Sequence, residues 1–183
     1  MRLEWRIASY GYRRPAVQFQ SGLTDGARTT PYVHVLAVAL EPNPVFDLNR
    51  LKKELKELRQ KGSTEFTWNC SRTIGIEVGD RVFLMRVVHE PRGLVASGYA
   101  SGTPKEGEHW EDAAKVTNYV PVRWEWFDPV PLIFREELDE PQFAGVKWSP
   151  QSSGIRIKGE AADNLEREWV TRLEARQTKP TKQ

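Results

Sequence analysis

Residues 77–102, EVGDRVFLMRVVHEPRGLVASGYASG, contain two predicted β-strands joined by one turn. RVFLMRVV is apolar and β-branched, and the VGD before it is typical of a tight turn into a strand. HEPRG supplies the proline and glycine of a hairpin-like turn. LVASGYASG continues as a strand of small residues, which let another backbone or a ligand approach closely. This stretch therefore predicts a pair of consecutive strands.

The segments around this pair predict a mixture of strands and helices. Residues 32–40 are almost continuously apolar and predict a central strand, and residues 47–62 predict a helix with an N-cap at Asp47 and a stop at Gly62. The remaining predictions are a polar turn at 64–72, an acidic loop at 102–118, a strand at 118–128, a short helical turn at 135–143, a short strand before 160 and a last helix at 161–177.

This order of elements predicts an α+β fold. We expect a strongly curved mixed or antiparallel sheet, or a small barrel, with one helix packed early in the chain. The 183 residues, of which 39% are hydrophobic and 28% charged, are enough for one domain with its own core. We expect an N-terminal extension at 1–31, a domain at 32–175 and a polar tail or linker at 176–183.

The composition argues against several classes of protein. No apolar run is long enough to cross a membrane, and the N-terminus lacks the apolar core of a signal peptide. The single cysteine, Cys70, has no partner for an internal disulfide, which favours the cytoplasm. The net charge of +2 does not by itself point to nucleic acid, but acidic residues concentrate at 106–112 and 136–140, so a basic face can lie elsewhere.

The sequence offers no convincing catalytic constellation. His34, His89 and His109 lack the spacing of metal ligands, and His34 inside a strand is typical of packing. Cys70 has no neighbour that would make it a nucleophile, so we expect an inert small residue. Phosphate-binding glycine loops, nucleophile elbows and zinc-protease motifs are missing. We therefore expect a binding module that is not an enzyme by itself and uses no cofactor or metal.

The tryptophans divide into packing residues and ligand candidates. Trp124 and Trp126 are two residues apart, so we expect both on one strand face in the core, and we expect Trp169 on the apolar side of the last helix. Trp68, Trp110 and Trp148 lie among polar residues, where an indole offers a flat surface to a flat ligand.

Several motifs, taken in order, resemble a known family. YVHVLAVALEPNPVF, a leucine-rich helix, FTWNCSR, EVGDRVFLMRV, PRGLVASGYASG and VKWSPQSSGIRI resemble the EVE-like domains of the PUA-like superfamily, which has the YTH and SRA readers as relatives. The likeness covers roughly residues 32–170 and is especially to the N-terminal modules of modification-dependent restriction endonucleases with a C-terminal HNH nuclease. It implies a small barrel-like sheet flanked by helices, with a pocket for a flipped, chemically modified base.

The resemblance also implies site residues. Trp68 and Trp110 match two pocket tryptophans, and Asn43 matches the polar residue that reads the edge of the base. Further pocket positions are Asn69, Ser71, Tyr99 and Trp148, the last of these either a pocket wall or packing. Residues in the flanking loops are expected to hold the nucleic-acid backbone: Arg72, Arg92, Lys147, Ser152, Ser153 and Arg156, with Arg13 and Arg14 as a candidate N-terminal arm.

The implied function is recognition of 5-methyl- or 5-hydroxymethylcytosine in double-stranded DNA by base flipping, as the specificity domain of a modification-dependent restriction endonuclease. The sequence contains no HNH motif, so we expect either a stand-alone reader or one excised from a longer protein, in which the polar tail would link to the missing nuclease domain. Two alternatives stay open. One is a reader of N6-methyladenine in RNA or DNA, as in the YTH relatives, and the other is a small RNA-processing hydrolase of the related ASCH type.

Overall fold

The chain folds into strands and helices within the residues that the computed structural model describes, which are 32–38, 48–71, 75–88, 90–109, 112, 114–148 and 154–178. In chain order the elements are β1 (Val33–Val38), α1 (Leu48–Lys61), β2 (Thr64–Ser71), β3 (Arg81–Arg86), β4 (Gly93–Ala100), β5 (Lys105–Glu108), β6 (Val116–Phe127), β7 (Ile133–Phe134), β8 (Ile155–Ile157) and α2 (Glu160–Thr178). Two short 3-10 turns, Glu136–Asp139 and Pro141–Phe143, lie between β7 and β8.

One mixed sheet contains all the strands of the described residues. Its order is β2-β6-β4-β3-β1-β8, with β5 added to β6 and β7 added to β4. β1 runs parallel to β3, and the other pairs are antiparallel. β1 also approaches β2 from the far side of the sheet, so the sheet curls towards closure. The predicted fold class, α+β with a curved mixed sheet or small barrel flanked by helices, is confirmed.

Two apolar cores lie on the two faces of this curved sheet. Alternate residues divide between them: Val82 and Leu84 belong to the inner core, whereas Phe83 and Met85 belong to the outer core. The helix α2 covers the outer face. The predicted position of Trp169 on its apolar side is confirmed, because Leu165, Trp169 and Leu173 recur every four residues and are almost completely buried.

A β-bulge in β6 corrects the prediction that Trp124 and Trp126 share one face. Ser97 pairs with Trp126 while Gly98 pairs with Trp124, so Glu125 is the extra residue of the bulge. The extra residue reverses the alternation. Trp124 therefore lies in the inner core, and Trp126 packs edge-on against Trp169 in the outer core, with ring centroids 5.1 Å apart.

Two segments that were expected to be irregular are strands instead. Residues 64–71 form β2 rather than a polar turn, because Thr64, Phe66, Trp68 and Cys70 alternate towards the inner core while the residues between them stay accessible. The expected acidic loop at 102–118 contains β5 and the start of β6, which pair with each other. β5 is a polar edge strand, and its exposure on both faces hides the alternation that identifies a strand.

The strand of small residues confirms a close approach of two backbones. Gly98 of β4 lies so near the main chain of Arg123 and Trp124 in β6 that an added Cβ would overlap it. The predicted helix stop is also confirmed, because Gly62 adopts a φ of +76° and its N–H donates a hydrogen bond to the Leu58 carbonyl oxygen at 2.9 Å.

Candidate nucleic-acid interface

Trp68 is a half-buried indole on the inner face of β2. It pairs in register opposite Val120 of β6. Its ring meets Trp124 edge-on at 6.5 Å between centroids and Phe66 at 6.2 Å, while Phe66 and Trp124 stack at 5.4 Å. These aromatic contacts fix the position of the indole while part of it stays accessible to a ligand.

A polar bulge follows Trp68 at the end of β2. The pairing with β6 shifts register between Asn69 and Ser71, and Ser71 has a φ of +50°, in the left-handed region that favours glycine. For a residue with a Cβ, this conformation costs roughly 1 to 2 kcal/mol. Among the described residues, no other non-glycine residue has a positive φ.

Hydrogen bonds within β2 and from the neighbouring strand β6 offset that cost. The Ser71 N–H donates to Asn69 Oδ1 at 2.7 Å, and the Thr117 hydroxyl donates to the same oxygen at 3.2 Å. The Asn118 side-chain amide donates to the Ser71 carbonyl oxygen at 2.7 Å. Each such bond contributes about 0.5 to 1.5 kcal/mol. We call these four residues, Asn69, Ser71, Thr117 and Asn118, the Ser71 bulge.

Cys70 anchors the bulge from the inner core. Its side chain is fully buried, and its thiol donates a hydrogen bond to the Asn118 carbonyl oxygen at 3.4 Å. Burial raises the pKa of the Cys70 thiol to about 11, so the group is neutral at physiological pH and a poor nucleophile. This burial agrees with the expectation of an inert small residue.

A second polar network lies where β1 and β3 begin. The buried carboxylate of Asp80 accepts hydrogen bonds from the Tyr32 N–H at 2.8 Å, the Glu77 N–H at 2.9 Å and His34 Nε2 at 2.9 Å. Burial raises the pKa of Asp80, but these three donors outweigh that effect and hold its pKa below the ordinary value. His34 is fully buried, as expected of a packing residue.

Arg156 lies at the same end of the sheet. It is exposed on β8, and its guanidinium carbon stands 4.7 Å from the centroid of the Tyr32 ring. The nearest atom to a Cβ placed on Gly75 would be Arg156 Nη1, and Gly75 follows Ser71 by four residues. Arg156 is therefore an exposed cation at the end of the sheet where β1 and β3 begin.

Arg92 and Lys147 are two other predicted contacts with the nucleic-acid backbone. Arg92 precedes β4 at the end opposite to Ala100, so the eight residues of the strand separate it from the Trp68 end by roughly 25 Å. Its guanidinium pairs with Glu90 at 2.6 Å. Lys147 is exposed beside Trp148, next to the outer core. The sequence analysis grouped Arg92 with Arg156, whereas Arg92 lies at the other end of β4.

Tyr99 and Trp148 belong to the outer side of the sheet rather than to the face of Trp68. The Arg81 guanidinium carbon lies 4.7 Å from both the Tyr99 and Phe83 ring centroids. Burial raises the pKa of Tyr99. Trp148 is only 2% exposed and packs edge-on against Phe143 at 6.0 Å in the outer core. For Trp148, the structure agrees with packing, one of the two expected roles.

Other predicted residues lie outside the described part of the chain. They are Asn43, Arg72, Trp110, Ser152 and Ser153, together with Arg13 and Arg14. Conversely, the sequence analysis missed Thr117 and Asn118, whose only signal is two polar side chains at the start of a strand that is apolar further along.

Two further observations concern cofactors and membranes. Within the described ranges, no three His, Cys, Asp or Glu side chains gather as metal ligands would. No helix in this part of the chain is both long and apolar enough to span a bilayer.

Solved structures of other proteins are similar to this chain. The chain is similar to a hypothetical protein from Leishmania major. The identity is 13%, the TM-score is 0.53, and the match covers 78% of this chain and 96% of the other. A protein from Pseudomonas syringae (12% identity, TM-score 0.49, 74% and 99% covered) and human THYN1 in complex with DNA containing 5-methylcytosine (11%, 0.49, 81% and 99%) also match.

At 13% identity, the likeness to the Leishmania major protein shows a shared fold alone. Neither a protein-family model nor a curated protein matches the sequence.

Proposed function

We propose that the chain is a DNA-binding module that recognises a flipped 5-methyl- or 5-hydroxymethylcytosine. In a longer protein it would serve as the specificity domain of a modification-dependent restriction endonuclease. The observation that carries the proposal is the half-buried indole of Trp68, which contacts with the rings of Phe66 and Trp124 hold in place beside the polar Ser71 bulge. A base that leaves a duplex needs such a combination of a flat apolar surface and nearby hydrogen-bonding groups.

The energies are of the right size for this role. Extrusion of a base from a duplex costs a few kcal/mol. Stacking on an aromatic side chain contributes about 1 to 3 kcal/mol per base. One methyl group on the base adds roughly 0.8 kcal/mol when it is buried, which is about a fourfold preference over the unmodified base. Larger discrimination requires a pocket shaped to reject other groups.

The proposal assigns roles to particular residues. Trp68 stacks on the base, and Trp110 and Asn43, which lie outside the described residues, provide the second wall and read the edge of the base. Arg156 contacts a phosphate. Tyr99 and Trp148 take no part in the pocket, because they pack on the outer side of the sheet.

A titration with the wild-type protein tests the proposal. Fluorescence anisotropy would compare duplexes of one sequence that carry cytosine, 5-methylcytosine, 5-hydroxymethylcytosine or N6-methyladenine. We expect binding to a modified cytosine to be at least about fourfold tighter, which is the preference that one buried methyl group supplies. Equal affinity for all four duplexes would overturn the proposal. Tightest binding to N6-methyladenine would replace it with the alternative reader function.

Arg156 provides a separate prediction about the DNA backbone. Replacing it with glutamine removes one charge from an exposed position at the Trp68 end of the sheet. One phosphate contact contributes about 0.9 to the slope of log K against log salt. We therefore expect the slope of Arg156→Gln to be shallower by that amount with every duplex, and its preference for the modified base to be unchanged. The matched control is Arg167→Gln on the exposed side of α2, which should leave the slope unchanged. An unaltered slope in Arg156→Gln would show that Arg156 touches no phosphate.

A further inference from the structure

We infer that Asn118 is a positioning residue for base recognition, because it holds Ser71 in a left-handed conformation at the place where the chain leaves β2. This inference rests on the proposed function. Asn118 is on β6, and its side-chain amide reaches the Ser71 carbonyl oxygen at 2.7 Å. It lies opposite Ser71 in the sheet register, so the contact crosses from one strand to its neighbour.

The conformation of Ser71 needs this external support. The register shift between Asn69 and Ser71 interrupts the regular pairing of β2 with β6, and a φ of +50° is disfavoured for serine. Side-chain hydrogen bonds instead stabilise Ser71 at both its N–H and its carbonyl oxygen. Asn69 accepts the hydrogen bond of the Ser71 N–H, and Asn118 donates one to the Ser71 carbonyl oxygen.

Asn118 is itself held firmly, which makes it a suitable support. Its main-chain carbonyl oxygen accepts the hydrogen bond from the buried thiol of Cys70. Cys70 belongs to the same inner core as Trp124, against which Trp68 packs. The indole and the exit of β2 are therefore fixed to one rigid body. A strained conformation that several contacts maintain is a known feature of ligand sites.

The consequence is geometric. Trp68 provides the stacking surface, and the Ser71 bulge sets the direction in which the backbone leaves that surface. Polar groups of the bulge then occupy a constant position relative to a base stacked on the indole. Without the Asn118 support, Ser71 would relax towards negative φ and redirect the chain, so the polar groups of the bulge would leave their positions beside the stacked base while stacking remained.

The test uses an isosteric substitution and a rescue. Asn118→Asp keeps the shape of the side chain but replaces the donor towards the Ser71 carbonyl oxygen with an acceptor. We expect a loss of affinity for the modified duplex on the order of tenfold, with a smaller loss for the unmodified duplex. Adding Ser71→Gly should restore a large part of that loss, because glycine adopts positive φ without support.

Asn164→Asp is the matched control. Asn164 of α2 also donates its side-chain amide to a main-chain oxygen, that of Gln142, at 2.8 Å. It lies away from β2, so its loss should lower stability at most and leave binding unchanged. Thermal melting of every variant separates loss of fold from loss of binding.

The outcomes separate the inference from the proposed function. Wild-type protein without preference for any modified base would overturn the proposed function and this inference with it. Wild-type preference that Asn118→Asp retains in full would overturn the inference alone. A loss that Ser71→Gly fails to restore would also overturn it, since Asn118 would then act by direct contact rather than through Ser71.

Discussion

Trp68→Ala is expected to abolish the preference for modified DNA and to weaken binding to the modified duplex by about 5- to 150-fold, the equivalent of the 1 to 3 kcal/mol that one stacked base contributes. The physical reason is that the substitution removes the accessible face of the indole, while Trp124 and Phe66 beneath it remain. Anisotropy titrations with the cytosine and 5-methylcytosine duplexes measure the effect directly.

The chain offers a closely matched control in Trp126. This indole is also half-buried on a strand, but it faces the outer core, where it packs against Trp169, and the guanidinium carbon of Arg176 lies 5.6 Å from its ring centroid. Trp126→Ala removes a similar aromatic area and should lower the melting temperature to a similar degree. Its binding should stay at the wild-type level. Equal loss of binding in both variants would mean that Trp68 acts through stability and would contradict a stacking role.

Trp68→Phe tests whether a smaller aromatic ring is enough for stacking. Phenylalanine keeps an aromatic contact with the inner core and offers a smaller stacking surface, so we expect affinity between those of the wild type and Trp68→Ala. Binding by Trp68→Phe that is as weak as that of Trp68→Ala would indicate that the indole N–H or its full width is essential.

The elements that the sequence predicts well are those with a strong local period. The hairpin of β3 and β4 and the leucine and tryptophan spacing of α2 each bury one face completely, so their patterns are easy to recognise. β2 was predicted as a turn because it is an end strand of the sheet path, where Glu65 and Thr67 can be polar without cost.

The details that the sequence does not predict are long-range. The bulge at Glu125 reverses the faces of Trp124 and Trp126, and nothing in the local sequence marks it. The hydrogen bond from Asn118 to Ser71 joins residues 47 positions apart. A local pattern indicates that Trp68 stands beside polar residues, but only the folded sheet shows that these polar residues fix one another rather than facing solvent.

Asp80→Asn is expected to lower the free energy of unfolding by roughly 2 to 4 kcal/mol and the melting temperature by roughly 5 to 15 °C. The carboxylate accepts three hydrogen bonds, from the Tyr32 N–H, the Glu77 N–H and His34 Nε2. An amide has one oxygen, so its NH2 group must face at least one of these donors. Asp80 and His34 are almost completely buried, so water cannot easily replace the missing acceptor.

The control for this substitution is Asp163→Asn in the first turn of α2, where the carboxylate is exposed. Because an exposed charge near a helix N-terminus contributes less than about 1 kcal/mol, its melting temperature should change little. Urea titrations and thermal melts at neutral pH measure both variants. A melting temperature of Asp80→Asn within about 2 °C of the wild type, the size expected of a surface change, would contradict a structural role for the network.

The same carboxylate predicts a dependence on pH. The pKa of Asp80 is lowered in the folded protein, so the unfolded chain takes up the proton first as the solution is acidified. The stabilisation is therefore complete above the pKa of an aspartate in the unfolded chain, about 3.9, and it is lost as the pH falls through the lower pKa of Asp80 in the folded protein. Asp80→Asn should be less stable at neutral pH and should lose less stability on acidification. Since Tyr32 also supports Arg156, the variant should weaken binding to all duplexes alike, without changing the preference that Trp68 provides.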